Sequence, residues 1–550
     1  MKKIVSLASS AFLAAAVMLA GCSSSQPAAE PQGSGQQTPQ PQANAQQAGS
    51  KMLYLNNLQE PTSLDPPIGF DQISYDILNN MMEGLTRLGK DQKPEPAMAE
   101  KWEVSQDGKT YTFHLRDSKW SNGDPVTAQD FEYAWKRLSD PKTGSSAAFL
   151  ANVIAGAEEF NAGKGKAEDV QVKAVDNKTL EVHLKQPASW FLLLVSNPAF
   201  FPVHKATVEK NPDWAKEAAT ILSNGPFKLT EWVHDSQLVM VKNENYWDAA
   251  NVKLDGVTWK MVNDRNTAYQ LFQTGELHTT EVPPDLAEQL FAENKVTVTD
   301  SAGTEFYRFN VTKPPFTNKN IRKAFSLAID RQLIVDVVNK QKQKIATGYV
   351  SYSFLEPDGK DFRDVGGELI KYDPVEAKKL LEQGMKEAGY TTLPPVTLSV
   401  SSGGTKEKVA QVIQEMIKKN LGVEIKIEVM ESKALTAKMK SLDYQWARSS
   451  FLPDFGDPIN FLDGFLSDNP FNRTGWKNPQ FDNLIKQAYN EADDTKRFQL
   501  MHQAEQVLMD DAPIAPLFFY NSAYLQSDKA VDIVRHALGY MDLKWADLKP

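Results

Sequence analysis

Apolar and polar residues alternate along Thr110-Tyr-Thr-Phe-His-Leu-Arg116, the two-residue period of a half-buried strand. Lys101-Trp-Glu-Val-Ser105, joined to it by Gln-Asp-Gly-Lys, completes a hairpin. Val170–Val175 and Thr179–Leu184 repeat that design across Asp-Asn-Lys. Lys51–Leu55 predicts a short strand, and Ile73–Met82 a helix with Ile77, Leu78, Met81 and Met82 on one face. Thr127-Ala-Gln-Asp130 is a capping signal for a helix reaching about Leu138. The second half changes character. Val396–Val400 reads as a strand and Thr405–Asn420 as a helix, with Val409, Val412, Ile413, Met416 and Ile417 at helical spacing. Gly422 ends that helix and Val423–Val429 alternates again, so the stretch forms a β-α-β unit whose parallel strands need a right-handed crossover. An amphipathic helix over Gln499–Met509 leads into the apolar strand Ile514–Tyr520. The class is α/β, with no internal repeat.

The chain has 550 residues, 41% hydrophobic and 24% charged, enough for several cores. A net charge of −10 argues against a nucleic-acid partner, which would require a basic face. The N-terminus adds more. Met-Lys-Lys precedes the apolar run Ile4–Ala20, and polar low-complexity sequence follows at once, so the run reads as a signal-peptide core and not a membrane span. Its ending, Leu19-Ala-Gly-Cys22, resembles the lipobox of bacterial lipoproteins. That resemblance implies a signal peptide over 1–21 and a diacylglyceryl group on Cys22. Cys22 is the only cysteine, so no intrachain disulfide can form. Residues 22–50, rich in Gln, Pro, Ala, Ser and Gly, read as a disordered tether reaching roughly 30 Å as a random coil.

Motifs for catalysis are absent: there is no His-Glu-x-x-His, no Gly-x-Ser-x-Gly and no Walker-type phosphate loop. The seven His are scattered, without metal-ligand spacing. No cofactor, metal or enzymatic activity is expected. The candidate chemistry lies in Arg448-Ser-Ser-Phe-Leu-Pro-Asp-Phe-Gly-Asp-Pro458. Asp457 before Pro458 and an apolar run reads as a helix N-cap. Asp454 has no such task. Following the strand Tyr444–Phe451, it is placed where a buried carboxylate needs a cation, either an internal partner, with Arg448 the nearest candidate, or a cation on a ligand.

Glu100–Arg116, Trp120–Phe131, Ser223-Asn-Gly-Pro-Phe227, Asn245-Tyr-Trp247, Lys313-Pro-Pro-Phe316, Ile321–Arg331 and the Asp454 segment together resemble the oligopeptide-binding proteins of bacterial ABC importers. The resemblance implies a periplasmic-binding-protein-like α/β fold of type II, peptide class, with two lobes and an extra domain. Mapped here, lobe I takes 51–82, 204–273 and 521–550, domain II takes 83–203, and lobe II takes 274–520. It also implies an extracytoplasmic, lipid-anchored monomer that captures oligopeptides between its lobes and hands them to permease transmembrane subunits. Phe70, Asp71 and Gln72 on one side, and Ser450, Phe451 and Leu452 on the other, would form strands flanking the peptide main chain. Asp454, with Arg448 nearby, would hold the α-ammonium. Lys406 and Lys313 are candidates for the peptide carboxylate.

The sequence departs from the family's familiar pattern at several of these places. Phe70 stands where an acid is expected, Ala147 where a Tyr is, Phe451 where a Trp is and Leu452 where a cysteine is. Met439, between Lys438 and Lys440, replaces a carboxylate-binding Arg. The alternatives are a receptor for another solute (dipeptide, oligosaccharide or nickel chelate) or a surface lipoprotein hydrolase.

Overall fold

Tyr111, Phe113 and Leu115 are buried while Thr110, Thr112 and His114 stay half-exposed, so the strand Thr110–Leu115 forms as its alternation requires. The computed structural model describes residues 50–550, of which Lys51–Pro550 make one compact unit. The signal segment, Cys22 and nearly all of the tether lie outside the described residues.

Among the described residues, three sheets of four or more strands carry the fold. The first orders Met52–Asn56, Gly256–Lys260, Gln237–Lys242 and Phe227–Val233; its first pair is parallel and the others antiparallel. The second is wholly antiparallel, in the order Ala99–Val104, Thr110–Leu115, Thr179–His183, Val172–Ala174. The third has six strands, ordered Thr279–Glu281, Ile514–Gln526, Thr297–Phe309, Trp446–Phe451, Val396–Ser401 and Ile425–Met430. At its edge the β-α-β unit runs from Val396–Ser401 through the helix Lys406–Leu421 to Ile425–Met430, with the two strands parallel. Gly422, at φ 72°, ends that helix by donating its N–H to the Lys418 carbonyl.

Two elements run longer than the alternation predicts. The helix expected over Gln499–Met509 spans Asp494–Asp511, its N-terminus capped by Asp493. The strand expected to end at Tyr520 continues to Gln526, so the proposed lobe boundary between Tyr520 and Asn521 falls inside a continuous strand. Asn521–Tyr524 are half-buried on both faces, which erases the period-two signal. Its partner strand, Thr297–Phe309, shifts register between Asp300 and Thr304. Gly303 sits in that bulge at φ 146°, with its N–H on Ser351 Oγ at 2.8 Å.

The segment Phe70–Gln72 is not a strand. Gln72 opens the helix Gln72–Met81, and Asp71 is its N-cap, accepting the Ser74 N–H at 2.9 Å. The other end of this helix meets Ser223-Asn-Gly-Pro-Phe227. Asn224 clamps Glu83 by accepting its N–H at 3.1 Å and donating to its carbonyl at 2.9 Å. The Gly225 N–H bonds the Met81 carbonyl at 3.1 Å. A Cβ on Gly225 would stand 2.8 Å from the Met82 nitrogen, inside the backbone. Gly225→Ala should therefore lower unfolding stability by about 1–3 kcal/mol through forced backbone shifts, checked by chemical denaturation of the ligand-free protein.

Candidate functional site

The loop after the strand Trp446–Phe451 is held from several directions. Arg497, on the helix Asp494–Asp511, donates from its two terminal nitrogens to the two carboxylate oxygens of Asp457 at 3.0 and 2.7 Å, and both side chains are 3% exposed. Asp457 also accepts the Ile459 N–H at 3.0 Å. Asp457 is not the N-cap expected from sequence, with Pro458 at the first helical position: Pro458 takes the N-cap position of the helix Ile459–Leu462, and Asp457, one residue earlier, serves chiefly as a counter-ion of a buried guanidinium. Phe455 stacks on Trp190, with centroids 6.4 Å apart and planes 13° apart. Asn460 Oδ1 accepts the Asp454 N–H at 2.7 Å, and Asn197 donates to the Asp454 carbonyl at 2.9 Å.

These contacts fix Asp454 in the wall of a cavity of about 590 Å³. The start of the helix Gln72–Met81, the adjoining stretches of the two long strands and the C-terminal segment 535–541 form the other walls. Arg448 is not the internal partner that sequence offered for Asp454. Its Nε and one terminal nitrogen bind Glu305 on the neighbouring strand at 2.6 and 2.5 Å, and Tyr520 donates to the same carboxylate at 2.6 Å. Among the described residues Asp454 enters no ion pair, and its side-chain partner is the neutral Asn460. Desolvation raises its pKa from 3.8 to about 7, against the opposing Asn460 hydrogen bond. Tyr75 lies behind it, donating to Asn197 Oδ1 at 2.9 Å; burial first, and the Asp454 charge second, hold its phenol well above the ordinary range.

Two further carboxyls share this condition. Burial raises Asp76 to about 7 although it accepts the Met541 N–H at 2.7 Å, and it raises Asp463 to about 7 although Tyr489 donates to it at 2.8 Å. All three bind a proton more tightly in the folded chain than in the unfolded one. Their contribution to stability is therefore greatest at acid pH and declines as pH rises from about 4 through about 7.

The other sequence candidates divide in two. Phe70, Asp71, Gln72 and Leu452 line the cavity with Asp454. Phe70 packs edge-on against Tyr75 and Phe149, at 6.0 and 5.9 Å. Asp71 is engaged by Ser74 and Thr62, and Gln72 donates to the Gly539 carbonyl. The remaining candidates lie off the cavity. Ser450 is exposed, Phe451 packs on Phe461 at 4.9 Å, and Arg448 is bound to Glu305. Lys406 opens its helix half-buried, Lys313 is exposed, and Lys438 pairs with Glu428 at 2.8 Å. Tyr75, Asp76, Asn197, Arg535 and Tyr540 also line the cavity. Sequence reasoning did not single them out: Tyr75 and Asp76 fall within the helix next to Phe70–Gln72, Asn197, Arg535 and Tyr540 belong to segments distant in the chain, and none carries a local motif.

A profile of the bacterial extracellular solute-binding proteins, family 5 Middle, matches residues 93–473. The chain belongs to that family. Relatives align along most of their length. The dipeptide-binding protein DppE of Bacillus subtilis is 55% identical over 504 residues, 92% of this chain and 93% of the relative. Among solved structures, OppA of Listeria monocytogenes bound to peptide superposes with a TM-score of 0.73 at 33% identity, covering 92% of this chain and all of that one. The unliganded open form of MppA, a periplasmic murein tripeptide-binding protein, superposes at 0.78 and 30% identity, covering 91% and 98%. This places the chain among type II, periplasmic-binding-protein-like receptors.

Because Asp457 neutralises a guanidinium of equal burial, Asp457→Ala should destabilise the protein by roughly 3–5 kcal/mol, seen as a lowered midpoint in chemical denaturation.

Proposed function

We propose that the protein is an extracytoplasmic receptor that captures short peptides in the cavity beside Asp454 and delivers them to an ABC-type permease. The observation that carries this reading is a half-buried carboxylate without a counter-ion, raised to about 7, on the wall of a cavity about 590 Å³ in volume. Such a group is poised for a ligand cation, and a peptide's α-ammonium supplies one with three donors. Relatives named for dipeptides and oligopeptides support the same class of ligand. The higher TM-score against an unliganded open form than against a peptide-bound one supports an open conformation, with the lobes closing on ligand. Lobe I would comprise 51–82, 204–273 and 521–550, domain II 83–203 and lobe II 274–520. Phe70, Asp71, Gln72 and Leu452 would contact the peptide main chain. The roles of Ser450, Phe451, Arg448, Lys406 and Lys313 would require that closure, since they stand off the cavity in the conformation described.

Binding an ammonium requires Asp454 ionised. Below about pH 7 the ligand must displace a proton, so affinity should fall by about tenfold per pH unit as pH drops below that value. Calorimetry of trialanine binding in buffers of different ionisation enthalpy should detect about one proton released at pH 6. Asp454→Asn should abolish that release and weaken binding by about thirty-fold to several-thousand-fold, the range for stripping one partner from a buried charge pair. N-acetyl-trialanine, lacking the ammonium, should bind the parent weakly and be nearly indifferent to the substitution. Equal affinity of parent and variant for trialanine at pH 8, with unchanged melting temperature, would remove Asp454 from the site.

Membrane attachment is the second part of the proposal. Cys22 in Leu-Ala-Gly-Cys would carry the lipid, with the 22–50 tether leaving the folded unit free to turn near the membrane. Expressed in a bacterial host, Cys22→Ala should move the protein from the membrane pellet to the soluble fraction without changing its peptide affinity. Retention in the pellet after a high-salt wash would refute the anchor.

A further inference from the structure

The cavity wall also carries a guanidinium without a carboxylate partner. Arg535 lies in the short C-terminal strand Val534–Arg535, which pairs with Met541–Asp542 and lines the cavity. One of its terminal nitrogens donates to Thr279 Oγ1 at 2.8 Å and the other lies 2.8 Å from Met541 Sδ. The plane rests 3.8 Å over the Tyr524 ring, and the Tyr524 side chain is also a hydrogen-bond partner. Its Nε is buried and has no hydrogen-bond acceptor. Among the described residues no Asp or Glu lies within ion-pair distance of it. The neighbouring acids are otherwise engaged: Glu281 is bound by Arg265 at 2.5 Å, and Asp76 accepts the Met541 N–H. Asp76 feels the Arg535 charge, yet burial still raises it to about 7, so it compensates the guanidinium only in part. His536, the next residue, is held neutral by burial, its pKa lowered to about 4.

Arg535 is thus a guanidinium without a carboxylate counter-charge, on the wall of the same cavity that holds Asp454, a carboxylate without a cation. We propose that Arg535 receives the α-carboxylate of the bound peptide. The inference rests on the reading of Asp454 as the ammonium site. With both ends of the ligand assigned to one cavity, the ligand class is a short zwitterionic peptide, neutralised at one end by Asp454 and at the other by Arg535. Longer peptides would have to send their carboxyl end out of this cavity and would lose the Arg535 contact. Lys406 and Lys313, the carboxylate candidates from sequence, lie off the cavity and would serve such longer ligands only.

The test uses trialanine and trialanine amide with the parent, Arg535→Gln and Arg535→Lys, measured by calorimetry at pH 8. The parent should prefer the free acid by at least about thirty-fold. In Arg535→Gln the preference should shrink to about threefold or less, because the free acid loses affinity while the amide does not. Arg535→Lys keeps the charge but not the planar fork, and should show an intermediate preference. A parent that binds both ligands equally overturns the assignment, as does an unchanged preference in either variant that retains the parent's melting temperature. Should both variants fail to fold, a crystal structure of the parent with trialanine decides: the carboxylate lies against Arg535 or the assignment is wrong. A parent that binds neither trialanine nor its amide would instead strike at the peptide-receptor reading itself, and the two failures are thereby told apart.

Discussion

The ion pair between Asp457 and Arg497 holds the site in place. Its two charges are almost wholly withdrawn from water, which is tolerable because two parallel hydrogen bonds run from one fork to one carboxylate. Arg497 comes from the eighteen-residue helix Asp494–Asp511, whose Phe498, Met501, Ala504 and Leu508 are buried in the core. The loop carrying Asp454 is therefore tied to a rigid element at its far end and to the strand Trp446–Phe451 at its near end. Asn197 and Trp190 secure it from a third direction. A carboxylate on a free loop would swing toward water and solvate itself. Held here, Asp454 keeps its desolvation, and that stored unfavourable energy is what a ligand ammonium would relieve.

Two acids three residues apart thus have opposite fates. Asp457 has its charge compensated inside the protein, and Asp454 has its own left open. The same contrast separates Arg448 from Arg535. Arg448 is bound on two nitrogens by Glu305, while Arg535 meets a hydroxyl, a sulfur and an aromatic face. One cavity holds a carboxylate and a guanidinium that each lack an opposite charge within ion-pair distance, whereas Arg363 pairs with Glu505 and Arg87 with Asp542 in the core. Where such charge lines a cavity, as Asp454 and Arg535 do, an outside partner has room to meet it.

Much of the architecture was legible because it is local. The hairpin Ala99–Leu115, the helix from Ala128 with the Asp130 carboxylate on the Thr127 N–H, and the unit ending at Gly422 each announce themselves within about thirty residues. Asp454 was legible too, as an acid in an apolar turn that lacked a capping role. What could not be read was pairing across the chain. Arg448 finds Glu305, 143 positions away, in preference to an acid six residues along, because adjacent strands place Ser450 opposite Glu305 and bring Arg448 within reach of it. Arg535 could not be read at all. It sits in a two-residue strand with no period, and its significance comes only from what surrounds it. Lys406 and Lys313 match the family pattern by position only, and such a pattern carries no information on which side of a sheet a cavity will open.

A bulge separates two regimes of the long strands. Before Tyr520 the strand Ile514–Gln526 is buried and belongs to the core; after it, the residues face the cavity at Asn521, Ser522 and Tyr524. Its partner changes at the corresponding place: Thr299, Ser301 and Ala302 line the cavity, and from Thr304 onward the strand is buried. Gly303 permits the change. Its backbone occupies a conformation that a side chain would strain, and an added Cβ would meet the Leu452 and Tyr520 side chains and the Phe451 carbonyl at 2.8–2.9 Å. The bulge is thus packed against the root of the Asp454 loop. One irregularity in one strand turns two strands from core into cavity wall and fixes where that wall meets the carboxylate, so the cavity's shape and the placement of its charge have the same structural origin.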